Sequence, residues 1–188
     1  MHARVQNPPR GAATRADFIL RIGHAGELAT LVDIDDDACV LFAQAGFDVD
    51  LPPDHPYTRA ERARWQRCLG RGSVVIADAG DTSIGFAALD LLDGSAYLEQ
   101  LSVRRAHMRR GLGAVLIASA ITGAMKGGAE SLWLTTYDHL SWNRPYYERH
   151  GFERVAESKC GPDILRELEN QRHWLPFPER RIVMRRPL

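Results

Sequence analysis

The sequence contains 188 residues, of which 45% are hydrophobic and 26% are charged, and its 24 basic side chains balance 24 acidic ones. This composition excludes a disordered, collagen-like or membrane-spanning chain, and the zero net charge argues against nucleic acid as a partner. We predict one domain over residues 17–188, preceded by a flexible arm over residues 1–16. The N-terminus lacks a signal-peptide core and the three cysteines form no Cys-x-x-Cys pair, so a cytoplasmic protein with reduced thiols is expected.

The first half of the domain is predicted to contain a strand, two helices and a three-stranded meander. Residues 18–22 are β-rich, and residues 26–46 have helical periodicity with a polar interruption at 35–37. Thr58 is predicted to cap the second helix, with Glu61 as its capping-box partner. Three strands joined by tight turns follow, over residues 73–77, 84–91 and 96–103.

The second half alternates helices with strands. Residues 112–126 are apolar on nearly every face and predict a buried helix that Gly127 and Gly128 close. A strand over 131–136, a short helix over 143–150, a strand over 152–158, a helix from Pro162 and a strand over 181–184 complete the order. This order predicts a single-domain α/β fold, with a mixed, mostly antiparallel central sheet and helices on both faces.

A glycine-containing loop between a strand and the buried helix is the most informative segment. The strand ends at Val103, and the loop leads into Gly111-x-Gly113, whose glycines let backbone N–H groups approach an anion at a helix N-terminus. Leu116 occupies the third glycine position of a dinucleotide-binding motif, and no Gly-Lys-Ser/Thr of a P-loop follows. Full positive charges come from Arg104, Arg105, Arg109 and Arg110. The segment therefore predicts a phosphate-binding loop, and the alternative is a glycine-rich turn with solvated arginines.

The apolar pattern of the strand before this loop predicts a β-bulge. Leu98, Leu101 and Val103 do not alternate strictly. If all three side chains face the core, one extra residue must be accommodated between Glu99 and Leu101. Such a bulge splays neighbouring strands apart.

Three ordered blocks of sequence resemble the core of the GNAT superfamily of acyl-CoA N-acyltransferases. They are LEQLSV (98–103), RRGLGA (109–114) and SWNRPYYERHGF (141–152). The family's coenzyme-A loop usually reads Q/R-x-x-G-x-G/A, and Met108 replaces its first residue here. That loop binds pyrophosphate mainly through backbone N–H groups, so the replacement affects one contact only. The resemblance implies a GNAT-like fold and an N-acetyltransferase that uses acetyl-CoA as its cosubstrate.

The resemblance also implies two catalytic residues. Glu99 occupies the position of the family's strand carboxylate and is the candidate base, the alternative being a solvated edge residue. Tyr147, four residues before Gly151, is the candidate acid for the leaving thiolate, the alternative being a packed aromatic beside Phe152. Tyr146 is not expected to share this role, because adjacent helical side chains point about 100° apart.

Further residues are implied to bind coenzyme A, two of them, Leu101 and Val103, through their backbone. The Val103 N–H is also a candidate oxyanion donor. Asn143 either caps the late helix through its side chain, which is the more common role, or bonds to coenzyme A. The histidines show no paired metal-ligand spacing, so no metal site is expected. The complete set of cofactor-binding candidates is Leu101, Ser102, Val103, Arg109, Arg110, Gly111, Leu112, Gly113, Ala114 and Asn143.

The acceptor is predicted to be an amine that carries an additional positive charge. No Lys or Arg lies between Arg21 and Arg59, and in the resembled fold this stretch borders the acceptor channel, opposite the basic loop. Its carboxylates are Glu27, Asp33, Asp35, Asp36, Asp37, Asp48, Asp50 and Asp54. They would attract a cation by electrostatic steering, and the alternative is an acidic surface that only faces water.

The alternative function is a non-catalytic acyl-CoA-binding regulatory module. A homodimer and a monomer both remain open, and no membrane partner is expected.

Overall fold

The computed structural model describes residues 18–47, 49 and 51–188, so the predicted arm over residues 1–16 lies outside the described residues. The chain begins with β1 (Ile19–Ile22), α1 (Leu28–Gln44), α2 (Pro56–Gly70), β2 (Val74–Ala79), β3 (Thr82–Leu92) and β4 (Ser95–Val103). It continues with α3 (Leu112–Lys126), β5 (Ser131–Tyr137), α4 (Arg144–Arg149), β6 (Glu153–Val155), α5 (Pro162–Trp174) and β7 (Arg181–Pro187).

The seven strands form one sheet in the order β1-β2-β3-β4-β5-β7-β6. Every neighbouring pair is antiparallel except β4 and β5, which run parallel. Because successive strand residues point to opposite faces, the two sides of the sheet bury separate cores. This arrangement confirms the predicted fold class. Among the described residues, no helix combines the length and the hydropathy that crossing a membrane requires.

The two helices that follow β1 pack on one face of the sheet, and α3 packs on the other. The α1 and α2 side is filled by Leu31, Ile34, Trp65, Leu69, Ile76, Phe86 and Ala88. The α3 side is filled by Ala77, Ala87, Leu98, Leu112, Leu116 and Ile117. The helix α3 has the predicted bounds at both ends, because an apolar run lies between Gly111, its left-handed N-cap, and Gly127.

Two predictions about the first two helices are wrong. The helix α1 continues without interruption through residues 35–37, because Asp35 points inward and its carboxylate is satisfied there by side chains of β4. The helix α2 begins at Pro56 and not at Thr58. Its N-cap is His55, whose Nδ1 accepts a hydrogen bond from the Tyr57 N–H at 3.2 Å, and proline fits a first helical turn, where an N–H is not needed. The predicted strand over 152–158 is shorter, since a 3₁₀ turn (Glu157–Lys159) follows β6.

The sheet opens between its two parallel strands. Only Ala96 with Leu132 and Tyr97 with Trp133 form pairs between β4 and β5, and beyond them the strands part. On its other side β4 pairs with β3, and the register of that pairing shifts close to the point where β4 and β5 part. Leu98 and Gln100 oppose successive β3 residues, which leaves Glu99 without a partner. The predicted β-bulge is therefore confirmed, and it lies beside the opening.

Candidate active site

The bulge directs two successive β4 side chains toward the face that carries α1 and α2. Leu101 packs in the core on the α3 side, whereas Glu99 contacts Arg64 of α2 and Gln100 contacts Asp35 of α1. The Glu99 side chain is only 3% exposed. The predicted catalytic carboxylate is thus enclosed between the sheet and the helices, and it is not a solvated edge residue.

A single buried arginine connects Glu99 to two helices. Arg64 donates from Nε to Oε1 of Glu99 at 2.5 Å, and its Nη2 lies 3.3 Å from a carboxylate oxygen of Glu167 in α5. Burial raises the pKa of Glu99 to about 7, against the opposing effect of the Arg64 charge. Charges removed from water need a partner of opposite sign, so Arg64 is what permits two carboxylates to lie in this place.

Glu61 lies three residues before Arg64 on the same side of α2, because residues three apart are neighbours on a helix surface. It does not form the predicted capping box, since Thr58 lies inside the helix. Glu61 is partly exposed as a residue, and its carboxylate makes no hydrogen bond or ion pair with any residue that the structure describes. Burial, and after it the charge of Asp35, raises the pKa of Glu61 to about 8. Glu61 was not among the predicted site residues, and nothing in its local pattern signals this position.

Asp35 forms the α1 side of the same group of side chains. Its Oδ1 accepts hydrogen bonds from Nε2 of Gln100, at 2.5 Å, and from the hydroxyl of Ser102. Burial raises the pKa of this carboxyl. The Ser102 hydroxyl is therefore bonded to Asp35, on the side away from α3, and the binding of coenzyme A by Ser102 stays a prediction.

The backbone of β4 presents polar groups to the opening in the sheet. Hydrogen-bonded and non-hydrogen-bonded pairs alternate along an antiparallel ladder. The Arg104 N–H donates to the Ile84 carbonyl at 2.9 Å, which makes this a hydrogen-bonded pair between the two strands. Val103 and Leu101 lie one and three residues before Arg104, so they fall in the non-hydrogen-bonded pairs of this ladder. They consequently direct their N–H and C=O groups away from β3 and toward β5. These are the two residues predicted to act through their backbone.

The loop before α3 has the geometry of an anion site. Gly111 is the N-cap with φ of 84°, Arg109 also has a positive φ, of 59°, and no side chain caps the helix. The first intrahelical bond joins the Val115 N–H to the Gly111 carbonyl. The N–H groups left without an intrahelical acceptor belong to Leu112, Gly113 and Ala114. Arg109 and Arg110 are exposed beside them, so this end of the helix can receive a phosphate.

Two other arginines of the loop are paired with α1. Arg104 lies 2.5 Å from a carboxylate oxygen of Asp33, and Arg105 lies 3.0 Å from one of Asp37. The acidic stretch and the basic loop are therefore in contact, whereas the sequence analysis placed them opposite each other. The predicted contributions of Asp48 and Asp50 lie outside the described residues.

The two tyrosines of α4 point in different directions, as predicted. Tyr147 packs against Phe152, with ring centroids 5.7 Å apart, and burial raises the pKa of its phenol. The Tyr146 hydroxyl instead lies over the start of α3, 2.5 Å from the position that a Cβ on Gly113 would occupy. Tyr146 thus borders the anion site, a role that the sequence analysis did not assign to it.

Asn143 precedes α4 and caps it through its backbone only. Its carbonyl accepts the N–H groups of Tyr146, at 2.9 Å, and Tyr147, at 3.0 Å. Its side chain makes no capping hydrogen bond, so the predicted side-chain cap is wrong. The other predicted role, a bond to coenzyme A, stays a prediction.

Comparison with known proteins agrees with this architecture. Residues 27–152 match the sequence model of the acetyltransferase (GNAT) family. This match covers more than half of the chain and includes the bulged strand, the anion site and both tyrosines. The protein therefore belongs to the GNAT acetyltransferase family.

Solved structures share the fold at low sequence identity. An acetyltransferase from Streptococcus agalactiae is 16% identical with a TM-score of 0.67, over 92% of this chain and 99% of that one. The PaiA N-acetyltransferase from Thermoplasma acidophilum, solved with coenzyme A, is 16% identical with a TM-score of 0.61, over 91% and 99%. The N-acetylglutamate synthase from Neisseria gonorrhoeae, solved with coenzyme A and N-acetyl-glutamate, is 18% identical with a TM-score of 0.63, over 93% and 36%. The present chain thus spans about a third of the synthase chain.

Proposed function

We propose that the protein transfers an acetyl group from acetyl-CoA to an amine by direct attack within a ternary complex. The opening between β4 and β5, beside the bulge at Glu99, is the observation that carries this proposal. The backbone groups of Leu101 and Val103 border the opening, and the anion site at Gly113 lies at the α3 end of the same strand. Two of the structural neighbours were solved with coenzyme A, which supports the choice of donor.

The donor binds in two parts. Its pyrophosphate accepts hydrogen bonds from the N–H groups at the start of α3, with Arg109 and Arg110 adding charge. Its pantetheine arm lies in the opening and pairs with the backbone of Leu101 and Val103. The Val103 N–H then polarises the thioester carbonyl, as an oxyanion donor does.

The chemistry requires a neutral amine and an acid for the leaving thiolate. The amine nitrogen attacks the thioester carbon, a C–N bond forms, and the C–S bond breaks when the tetrahedral intermediate collapses. Tyr147 gives its proton to the thiolate and recovers one from the nitrogen. Glu99 is the predicted base, but its carboxylate is enclosed and bound to Arg64, so it acts through another group and not by contact with the amine.

A cationic acceptor suits the charges on the α1 and α2 side of the opening. Glu27, Asp33 and Asp37 of the acidic stretch form ion pairs with arginines, so their charges are offset. The interior group is different, because Arg64 is bound by Glu99 and Glu167 while Asp35 and Glu61 form no ion pair with any described residue. At about pH 8 and above, where Glu99 and Glu61 are increasingly ionised, net negative charge on this side of the opening attracts a positively charged substrate.

Thiol release from acetyl-CoA with matched acceptors tests the function. Putrescine, butylamine and γ-aminobutyrate share a four-carbon chain and differ in the charge at its far end. We expect turnover with the highest kcat/KM for putrescine, and a preference that shrinks as salt rises. Coenzyme A that binds without turnover across a wider amine panel would instead indicate the regulatory acyl-CoA-binding module.

A further inference from the structure

Within the proposed function, one side chain is arranged to meet the acceptor amine. We propose that Glu61 contacts the acceptor's ammonium group and takes its proton, while the Glu99–Arg64 ion pair positions it. Glu61 is a further catalytic residue in this scheme, and Glu99 acts through it.

Glu61 differs from the other carboxylates of the group because it has no partner among the described residues. Asp35 is bonded to two β4 side chains, and Glu99 is bonded to Arg64. Glu167 lies near Arg64 and accepts a hydrogen bond from Nε2 of Gln171 at 2.8 Å. Glu61 alone combines an unused carboxylate with partial exposure to solvent. A proton acceptor must be reachable by its substrate, and Glu61 meets that condition.

Arg64 forms no ion pair with Glu61. Arg64 lies three residues further along α2, a spacing at which an ion pair with Glu61 would ordinarily form. Its Nε is instead bound to Glu99 and its Nη2 lies near Glu167. With its guanidinium engaged by Glu99 and Glu167, Arg64 acts on Glu61 through its charge but forms no ion pair with it, and this is the positioning role of Glu99.

The surroundings of Glu61 raise its affinity for a proton. Charged and titratable groups from every element around it act on its carboxylate or feel its charge: Tyr57 and Arg64 of α2, Asp35 and Cys39 of α1, Glu99 of β4 and Glu167 of α5. Burial and the charges of Asp35, Glu99 and Glu167 raise the pKa of Glu61 to about 8, against the opposing charge of Arg64. An alkyl ammonium has a pKa near 10.4, so such a carboxylate takes its proton at a smaller cost than an ordinary glutamate does.

The proton balance of the reaction is complete with these groups. The ammonium gives one proton to the Glu61 carboxylate, and the free amine attacks the thioester. The products are the amide and the coenzyme-A thiol, and the proton remains on Glu61. Because Glu61 is partly exposed, it returns this proton to solvent before the next cycle.

The test compares Glu61→Gln with Glu153→Gln, which removes an exposed glutamate of β6, far from the acceptor side. We expect Glu61→Gln to lower kcat/KM for putrescine by roughly a hundredfold, the usual contribution of a general base. Methoxyamine is already neutral at pH 7, so its kcat/KM should fall less than about threefold. The kcat/KM of the parent protein for putrescine should rise up to about pH 8. The kcat/KM of Glu61→Gln should instead continue to rise until the amine itself is neutral. An equal loss with both amines would overturn the role of Glu61.

A second readout does not depend on turnover. Carbon-detected NMR of the side-chain carboxyls should show one glutamate that titrates near pH 8 and disappears in Glu61→Gln but not in Glu153→Gln. If no amine is acetylated although Glu61 titrates near pH 8, the proposed function fails, but the raised pKa of Glu61 is confirmed. If Glu61 is ionised throughout the range from pH 6 upward, the inference fails even when acetylation is observed.

Discussion

Arg64 and Glu99 form an ion pair, with Nε and Oε1 2.5 Å apart, that joins α2 to β4 at the bulged residue. Because the bulge leaves Glu99 outside the β3–β4 register, its side chain points to the helices and not across the strand. The same displacement opens the sheet between β4 and β5. One irregularity in the strand therefore produces both the donor opening and the enclosed carboxylate.

Removing Arg64 should strongly destabilise the protein, and the size of this destabilisation should depend on pH. Arg64→Met leaves Glu99 and Glu167 without their cation, and unpaired buried charges cost about 3 kcal/mol or more. Urea unfolding at pH 8 should show this loss, and at pH 5 the loss should shrink because Glu99 is then protonated. Arg166→Met, at an exposed position of α5, should change the free energy of unfolding by less than about 0.5 kcal/mol. The same loss at both pH values would contradict this explanation.

The carboxylates with raised pKa should also make the parent protein less stable as pH rises. Glu99 and Glu61 have pKa values of about 7 and about 8, above the ordinary value of 4.5. Between pH 4.5 and 8 the folded state binds more protons than the unfolded state, so the free energy of unfolding falls across this window. Glu61→Gln removes one titrating group and should flatten that decline. An unchanged slope in chemical unfolding between pH 5 and pH 8 would show that Glu61 titrates normally.

Features with a local cause were predictable from the sequence. The bounds of α3 follow from an apolar run between glycines, and the bulge follows from three apolar residues that break strict alternation. The start of α2 also has a local signal, since proline favours the first helical turn, although the prediction places the cap at Thr58. In each case the information lies within a few residues.

The partners across the site have no such local signal. Arg64 and Glu99 are 35 residues apart in sequence, and Asp35 and Ser102 are 67 apart. Each of these side chains alone has the pattern of a solvated polar residue on a helix or strand. Their burial depends on how α1, α2 and α5 pack on the sheet, and tertiary packing decides where charges meet.

Tyr147 should affect the chemical step and not donor binding. Its phenol keeps its proton at neutral pH, and burial raises the pKa of that phenol further. Tyr147→Phe removes that proton with little change in volume. We expect kcat to fall by roughly tenfold or more, while the Kd for coenzyme A stays within about twofold. Steady-state kinetics and calorimetry measure the two quantities, and an unchanged kcat would exclude Tyr147 as the acid.

The last prediction concerns the contact between Gly113 and Tyr146 at the anion site. A Cβ on Gly113 would lie 2.5 Å from the Tyr146 hydroxyl oxygen and 3.4 Å from the adjacent ring carbon, so the hydroxyl is the group that a side chain there would have to displace.

Gly113→Val should weaken coenzyme-A binding by at least about tenfold, equivalent to about 1.4 kcal/mol, because it also obstructs the neighbouring N–H groups. Gly113→Ala is the finer probe, and its loss of affinity should be largely recovered in combination with Tyr146→Phe, which removes the clashing oxygen and leaves an ordinary contact with the ring. Calorimetric titration of each variant with coenzyme A measures this coupling. If the two substitutions were simply additive, the Tyr146 hydroxyl would have no part in shaping the site. If neither glycine variant altered the Kd, the phosphate would bind elsewhere on the protein.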